Sequence, residues 1–314
     1  MSRPSLPAAF ETLLRAIGAG AEGHAVFSRK GTPLLLLPAD RRVAAATAGT
    51  YRPQSAKAKA AAAALRALCR AGLHAAVLPR LAGTPDRSGA LLCNPCHGVR
   101  VVAVRPGPGG LLEAVKAARP SDGAPLVRER EALARLAGRP GVPAAGPLER
   151  SADAVSFAMP LLGNANGPEN HAALLAQWAT GPEEPAGKNG LVAELSPLLG
   201  ETARRALRGA TVRRALVHGD FAPWNWRADG EGRPVCIDWE WAREDGFAGF
   251  DAAYWTVQTE LLVRKTPPER LLGAVERDLR FLPRAAREAV AGCGLGLETL
   301  VALVAAYRKS KGMT

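Results

Sequence analysis

Residues 216–240 read LVHGDFAPWNWRADGEGRPVCIDWE, and the reading of this stretch decides the fold. Leu216 and Val217 end a short apolar strand that delivers His218, Gly219 and Asp220 to a loop. Pro223 and the bulky Trp224 keep that loop out of a helix. Asn225, Trp226 and Arg227 open a second strand, Asp229-Gly230 supplies a hairpin turn, and Pro234 to Ile237 returns. Asn225 follows Asp220 by five residues, and Asp238 follows Asn225 by thirteen. The hairpin therefore predicts Asn225 and Asp238 side by side at its open end, next to Asp220.

The residue types in that cluster point to phosphoryl transfer from a nucleoside triphosphate to a hydroxyl. That reaction needs in-line positioning and positive charge over the phosphates rather than covalent work by the protein. Asp220 can accept the proton of the attacking hydroxyl. Magnesium takes oxygen ligands in a tight octahedron, which suits the side-chain amide of Asn225 and the carboxylate of Asp238. The plainer alternative is that His218, Asp220, Asn225 and Asp238 are ordinary turn residues, since Asp and Asn favour turns. Two correct gaps, with apolar strands before both aspartates, weigh against it.

The same residues resemble the catalytic core of the aminoglycoside phosphotransferase and choline kinase family, which shares the protein-kinase-like fold. Gly219 stands where protein kinases carry Arg, which is similar to the small-molecule kinases. The resemblance implies an α+β, two-lobed architecture: a small antiparallel β N-lobe and a mainly helical C-lobe. It implies Asp220 as catalytic base, Asn225 and Asp238 as metal ligands, and His218 as a brace for the loop. ATP, Mg²⁺ and a small-molecule hydroxyl acceptor follow as cofactors and partner. The resemblance covers roughly residues 90–310 and is strongest at 216–240.

An N-lobe must then supply a lysine for the phosphates, a glutamate to hold it and a strand against the base. Val99–Val104 reads as a strand, Pro106–Gly110 as a turn and Leu111–Ala118 as the next strand. Lys116 falls where the family keeps its phosphate-binding lysine. Pro125–Ala137 reads as a helix with Leu126, Leu133 and Leu136 on one face. Glu129 is the expected partner of Lys116, with Glu131 as second choice. A solvated strand-end lysine and a surface helix charge are the alternatives. Val155–Met159 is expected as the hinge strand, with Met159 at the nucleotide, although its apolar residues suit a core equally. Asp251 is expected as a helix cap that orders the catalytic loop. Four of the six tryptophans fall within residues 224–241, and they suit either an acceptor pocket or core packing.

The expected organisation is an N-terminal α/β appendage at 1–85, an N-lobe at 86–160 and a C-lobe at 161–314. In the appendage Leu34–Pro38, Val43–Ala48 and His74–Leu81 read as strands, and Gln54–Ala71 as an alanine-rich basic helix ending at Gly72. Helices are expected over Pro268–Phe281, Pro283–Ala291 and Leu297–Lys309. Asn94–Gly98 departs from the glycine-rich loop of protein kinases. Cys93-Asn-Pro-Cys96-His97 matches a haem-attachment pattern, but that chemistry normally requires export. Zinc needs four ligands and no second CxxC exists, so the segment reads as a loop near the nucleotide.

A chain of 314 residues with 47% hydrophobic content can build one two-lobed domain. The longest run of Leu, Ile and Val, Leu34–Leu37, is four residues, and no apolar stretch approaches a membrane span. MSRPSLPAAFETLL lacks a signal-peptide core, and five scattered cysteines fit reduced thiols, so a cytoplasmic setting is expected. The net charge is +12, but its arginines are dispersed and no nucleic-acid-reading motif accompanies them. The charge also disfavours a polycationic acceptor. A catalytically weak nucleotide-binding scaffold, holding a partner through residues 1–85, is the competing reading.

Overall fold

A computed structural model describes residues 5–29, 31–53, 55–83, 86–93, 98–164, 169–281 and 293–312. Most of the Asn94–Gly98 loop and the whole of the expected Pro283–Ala291 helix lie outside these residues. The chain divides into two units, Met1–Gly138 with Pro143–Asn164, and Arg139–Val142 with Ala165–Thr314. The class is α+β, as expected.

The first unit runs α1 (Ala8–Ala16), β1 (Ala25–Arg29), β2 (Thr32–Leu37), α2 (Arg41–Thr50), α3 (Ala56–Arg70), α4 (His74–Val77) and β3 (Gly89–Leu92). It continues with β4 (Arg100–Pro106), β5 (Leu112–Ala118), α5 (Ala124–Arg135), β6 (Glu149–Arg150), β7 (Val155–Pro160) and β8 (Gly163–Asn164). Seven of these strands form one sheet in the order β1-β2-β3-β4-β5-β7-β6, with antiparallel neighbours throughout. Side chains alternate between the faces of a strand, so each face selects its own layer. Val26, Leu36, Ala90, Leu92, Val101, Ala103, Val115 and Ala117 pack with Phe10, Leu13 and Leu14 of α1. Ala25, Leu35 and Leu37 face the other way, against Ala44 and Ala48 of α2 and Leu65 and Cys69 of α3. β2 pairs with β3 through Leu35↔Leu91 and Leu36↔Ala90. The expected boundary between residues 85 and 86 thus falls inside a continuous sheet.

Of the stretches read as strands, Val43–Ala48 is helical and His74–Leu81 is helical only over its first half, since Arg80 bridges to Ala25 of β1. Val43–Ala48 lies within α2, where Val43, Ala44, Thr47 and Ala48 are buried at helical rather than alternate spacing. Asp40 starts this helix by accepting from the N–H groups of Arg42 (2.7 Å) and Val43 (3.1 Å). His74–Val77 forms the short α4, and buried His74 donates from Nε2 to the Pro38 carbonyl at 2.7 Å. α3 follows its expectation, with Ser55 as N-cap and Gly72 in the left-handed conformation beyond its end.

The second unit holds α6 (Glu169–Trp178), β9 (Glu183–Pro185), α7 (Gly190–Leu195), α8 (Glu201–Leu207), β10 (Thr211–Val217) and β11 (Trp226–Ala228). It ends with β12 (Pro234–Cys236), β13 (Arg243–Phe247), α9 (Phe250–Gln258), α10 (Leu271–Phe281) and α11 (Leu297–Ser310). β10 is the centre of a three-stranded sheet, β13-β10-β9. β11 and β12 form the expected hairpin, in the register Trp226↔Cys236, Arg227↔Val235 and Ala228↔Pro234. No helix of the described residues is long and apolar enough to cross a membrane. Among the described residues Cys69, Cys236 and Cys293 are buried free thiols.

Asp40→Ala removes both side-chain acceptors at the start of α2. The loss should destabilise the protein by about 1 kcal/mol, read as a lower melting temperature, and Asp40→Asn should recover most of it.

Candidate active site

β10 buries Ala215, Leu216 and Val217 and ends where the HGD triplet begins. The loop that follows is held from three directions. The carboxylate of Asp251 accepts from the backbone N–H of His218 at 2.7 Å and of Gly219 at 3.2 Å. Asp251 is the second residue of α9, and Gly249, not Asp251, is the N-cap. Asp251 therefore orders the loop as expected, but it does so across space rather than as a cap of its own helix. His218 bridges to the metal-ligand candidate: Nε2 donates to the Ile237 carbonyl at 2.9 Å and Nδ1 accepts from the Asp220 N–H at 3.2 Å. Gly219 has φ +81°, and a Cβ there would lie 2.6 Å from both the Trp241 carbonyl oxygen and Tyr307 Oη. Only glycine satisfies both the backbone and the space.

Pro223–Asn225 closes into one 3-10 turn before β11. Asn225, buried at its end, donates from Nδ2 to both the backbone carbonyl and Oδ2 of Asp220, each at 2.9 Å. The Ile237 N–H returns to the Asn225 carbonyl at 3.0 Å, which fixes the open end of the hairpin. Asp238 follows with φ 68°, a left-handed conformation that Asp and Asn tolerate better than most residues. The structure thus brings Asp220, Asn225 and the Asp238 segment together.

Tyr254 adds a contact that the motif does not announce: its hydroxyl donates to Asp220 Oδ1 at 3.0 Å. A tyrosine among apolar helix residues reads as core, and nothing in its spacing signals the catalytic loop. Burial and then the nearby Asp238 carboxylate push the Asp220 carboxyl up to about 6, against the pull of the Tyr254 and Asn225 donors. Burial pushes Asp251 up to about 7, against its two backbone N–H partners.

Among the described residues no group of three or more His, Cys, Asp and Glu side chains is arranged to hold a metal ion. Magnesium is commonly held by one or two protein oxygens, with phosphates and water completing its shell. Asn225 and Asp238 fit that kind of site. The Asn225 amide nitrogen is turned to Asp220, so Oδ1 is its lone-pair end. A divalent cation would also offset the repulsion between Asp238 and Asp220.

Lys116, Glu129 and Met159 belong to the first unit. Lys116 lies on central strand β5, between Val102 of β4 and Phe157 of β7. Its Nζ meets Glu129 Oε1 at 2.7 Å with both side chains buried. Glu131, the second choice, is exposed. Met159 is buried on β7, opposite Ala114. Of the tryptophans, Trp226 and Trp239 are core: Trp226 packs on Phe221, and Trp239 on His218 and Trp178. Trp241 is partly exposed and carries Lys311 Nζ over its ring at 4.4 Å.

A profile described as the phosphotransferase enzyme family matches residues 16–254. The chain belongs to this family and is an enzyme of the phosphotransferase class. Solved structures with a similar fold include a thermostable mutant of aminoglycoside phosphotransferase APH(4)-Ia in ternary complex with AMP-PNP and hygromycin B. It is 12% identical, at a TM-score of 0.45 over 71% of this chain and 86% of that one. Macrolide 2'-phosphotransferase type I is 16% identical, at a TM-score of 0.41 over 73% and 87%. An aminoglycoside-3'-phosphotransferase of type VIII is 16% identical, at 0.41 over 71% and 94%. No curated protein matches the chain.

The raised Asp220 carboxyl sets a pH dependence of stability. Below pH 3.8 both folded and unfolded chains hold its proton; from there to about 6 only the folded chain does. Stability from this group therefore falls as pH rises through that window, and the penalty is complete above it. Asp238→Asn removes the facing charge and keeps a residue suited to positive φ. At pH 8 the ligand-free variant should melt about 2–4 °C above wild type, with the gap closing below pH 6.

Proposed function

We propose that this enzyme moves the γ-phosphoryl group of ATP to a hydroxyl of a small molecule, by direct in-line transfer, in the cytoplasm. The observation that carries the reading is the convergence on Asp220: its two side-chain donors, Asn225 and Tyr254, and the neighbouring Asp238 carboxylate. Asp220 is the base. With Tyr254 on Oδ1 and Asn225 on Oδ2, the carboxylate is fixed in orientation while lone pairs remain to take the acceptor proton. Its elevated proton affinity suits a base that must accept a proton near neutral pH. Magnesium, when bound by Asn225 and Asp238, supplies positive charge over the phosphates. Lys116, held by Glu129, aligns the phosphates, and the backbone at Met159 meets the adenine.

In this reading residues 86–160 serve the nucleotide and residues 161–314 the acceptor and the chemistry. The net charge of +12 favours a neutral or anionic acceptor with a sugar-like hydroxyl over a polycation. The family match begins at residue 16, which supports counting most of residues 1–85 with the enzyme rather than with a separate scaffold.

Mg²⁺ with ATP at about 100-fold its dissociation constant should stabilise wild type by about 2.7 kcal/mol, seen as a rise in melting temperature. Asp238→Asn should lose that rise. Asp220→Ala should keep it, yet lower ATP consumption at least about 100-fold. Normal turnover by Asp220→Ala would overturn the assignment of the base.

A further inference from the structure

Behind Asp220 a line of buried polar groups runs to the last helix. The Tyr254 hydroxyl donates to Asp220 Oδ1 at 3.0 Å. Gln258 Nε2 donates to Tyr254 Oη, and Arg308 Nη1 donates to Gln258 Oε1. Tyr254 and Gln258 stand one turn apart on α9, and Arg308 projects from α11, which packs on α9. Their relative exposures are 0%, 2% and 7%, so water does not compete along the line.

We propose that Arg308, Gln258 and Tyr254 are positioning residues for Asp220, forming a hydrogen-bond chain whose direction is dictated from α11. The inference rests on the phosphotransfer reading above. Its logic is donor and acceptor inventory. A guanidinium has only donors, so the Gln258 group facing Arg308 must be its carbonyl oxygen. That turns the Gln258 amide nitrogen, a donor, toward Tyr254. Tyr254 Oη then accepts there, and its single proton points onward to Asp220 Oδ1. Each link removes the alternative orientation of the next. Without Arg308, Gln258 could flip and accept from Tyr254, and the tyrosine proton would leave Asp220. The chain thus keeps a donor on one carboxylate oxygen and holds the base in one rotamer as the acceptor approaches.

Core packing alone would depend on the shapes of these side chains, not on the direction of their protons. Gln258→Glu separates the two, because it preserves shape and keeps Arg308 paired but places an acceptor against Tyr254. ATP hydrolysis with water as acceptor, measured with Mg²⁺, supplies the readout. The expected result is a fall in kcat of about 10–100-fold, with KM for ATP changed less than about twofold and no loss of melting temperature. Tyr254→Phe should give a similar fall, and the double variant should be no worse than either single one. Arg308→Met should lower kcat as well, and Arg308→Lys, which still donates, should recover most of that loss. Wild-type turnover by Gln258→Glu, or losses that multiply in the double variant, would overturn the chain while leaving the phosphotransfer reading intact. A wild type that neither consumes ATP nor gains melting temperature with Mg²⁺ and ATP would overturn both.

Discussion

Two backbone N–H groups, those of His218 and Gly219, converge on the buried carboxylate of Asp251, and the site of the second unit depends on that convergence. A loop leaving a strand carries N–H groups that no ladder partner satisfies, and buried ones must be paired. Asp251 supplies both acceptors from the first turn of α9, so the loop is tied to a helix that packs in the core. The tie draws residue 219 against the Trp241 carbonyl and Tyr307, where no side chain fits. With the backbone fixed, His218 can spend both ring nitrogens locally, one on the Asp220 N–H and one on the Ile237 carbonyl. One carboxylate thereby sets the relation between the candidate base and the strand that delivers Asp238.

The two units treat buried charge in opposite ways. Lys116 and Glu129 neutralise each other at 2.7 Å inside a sheet-and-helix layer. Removing either partner would strand a charge, which typically costs 3–5 kcal/mol. Asp220 and Asp238 are like charges, and burial together with Asp238 raises the Asp220 carboxyl to about 6. Stability alone would replace one of the two with a neutral residue. Their coexistence marks a place where the fold carries a local penalty, the kind of inconsistency that gathers at functional sites.

Much of this was legible because it rests on short-range chemistry. The strand before Asp220, the hairpin from Trp226 to Cys236 and the strands around Lys116 are set by alternation and turn residues. Glu129 could be picked over Glu131 because a 3.6-residue period puts it on the face of Leu126 and Leu133. Val43–Ala48 reads as a strand but folds as a helix because its small apolar residues satisfy either period. The deciding signal was Asp40, whose side chain pairs the first N–H groups of the helix. The continuity of β2 with β3 was hidden for a different reason. Strand pairing across residues 37 to 89 depends on tertiary contact, and no local pattern encodes which edge is met.

The contacts behind Asp220 show the furthest limit of sequence reading. Tyr254 and Gln258 carry an i,i+4 spacing, which places them on one helix face but leaves open what that face meets. Arg308 sits among ordinary basic residues at the end of α11, where a cation is already favoured by the helix dipole. Each has an adequate local explanation, so none stands out alone. Only the packing of α11 on α9 turns an arginine, an amide and a phenol into neighbours. Once they are neighbours, the arginine's lack of any acceptor propagates through the amide to the phenol. Direction in a hydrogen-bond chain is a property of the whole line, set by its least adaptable member.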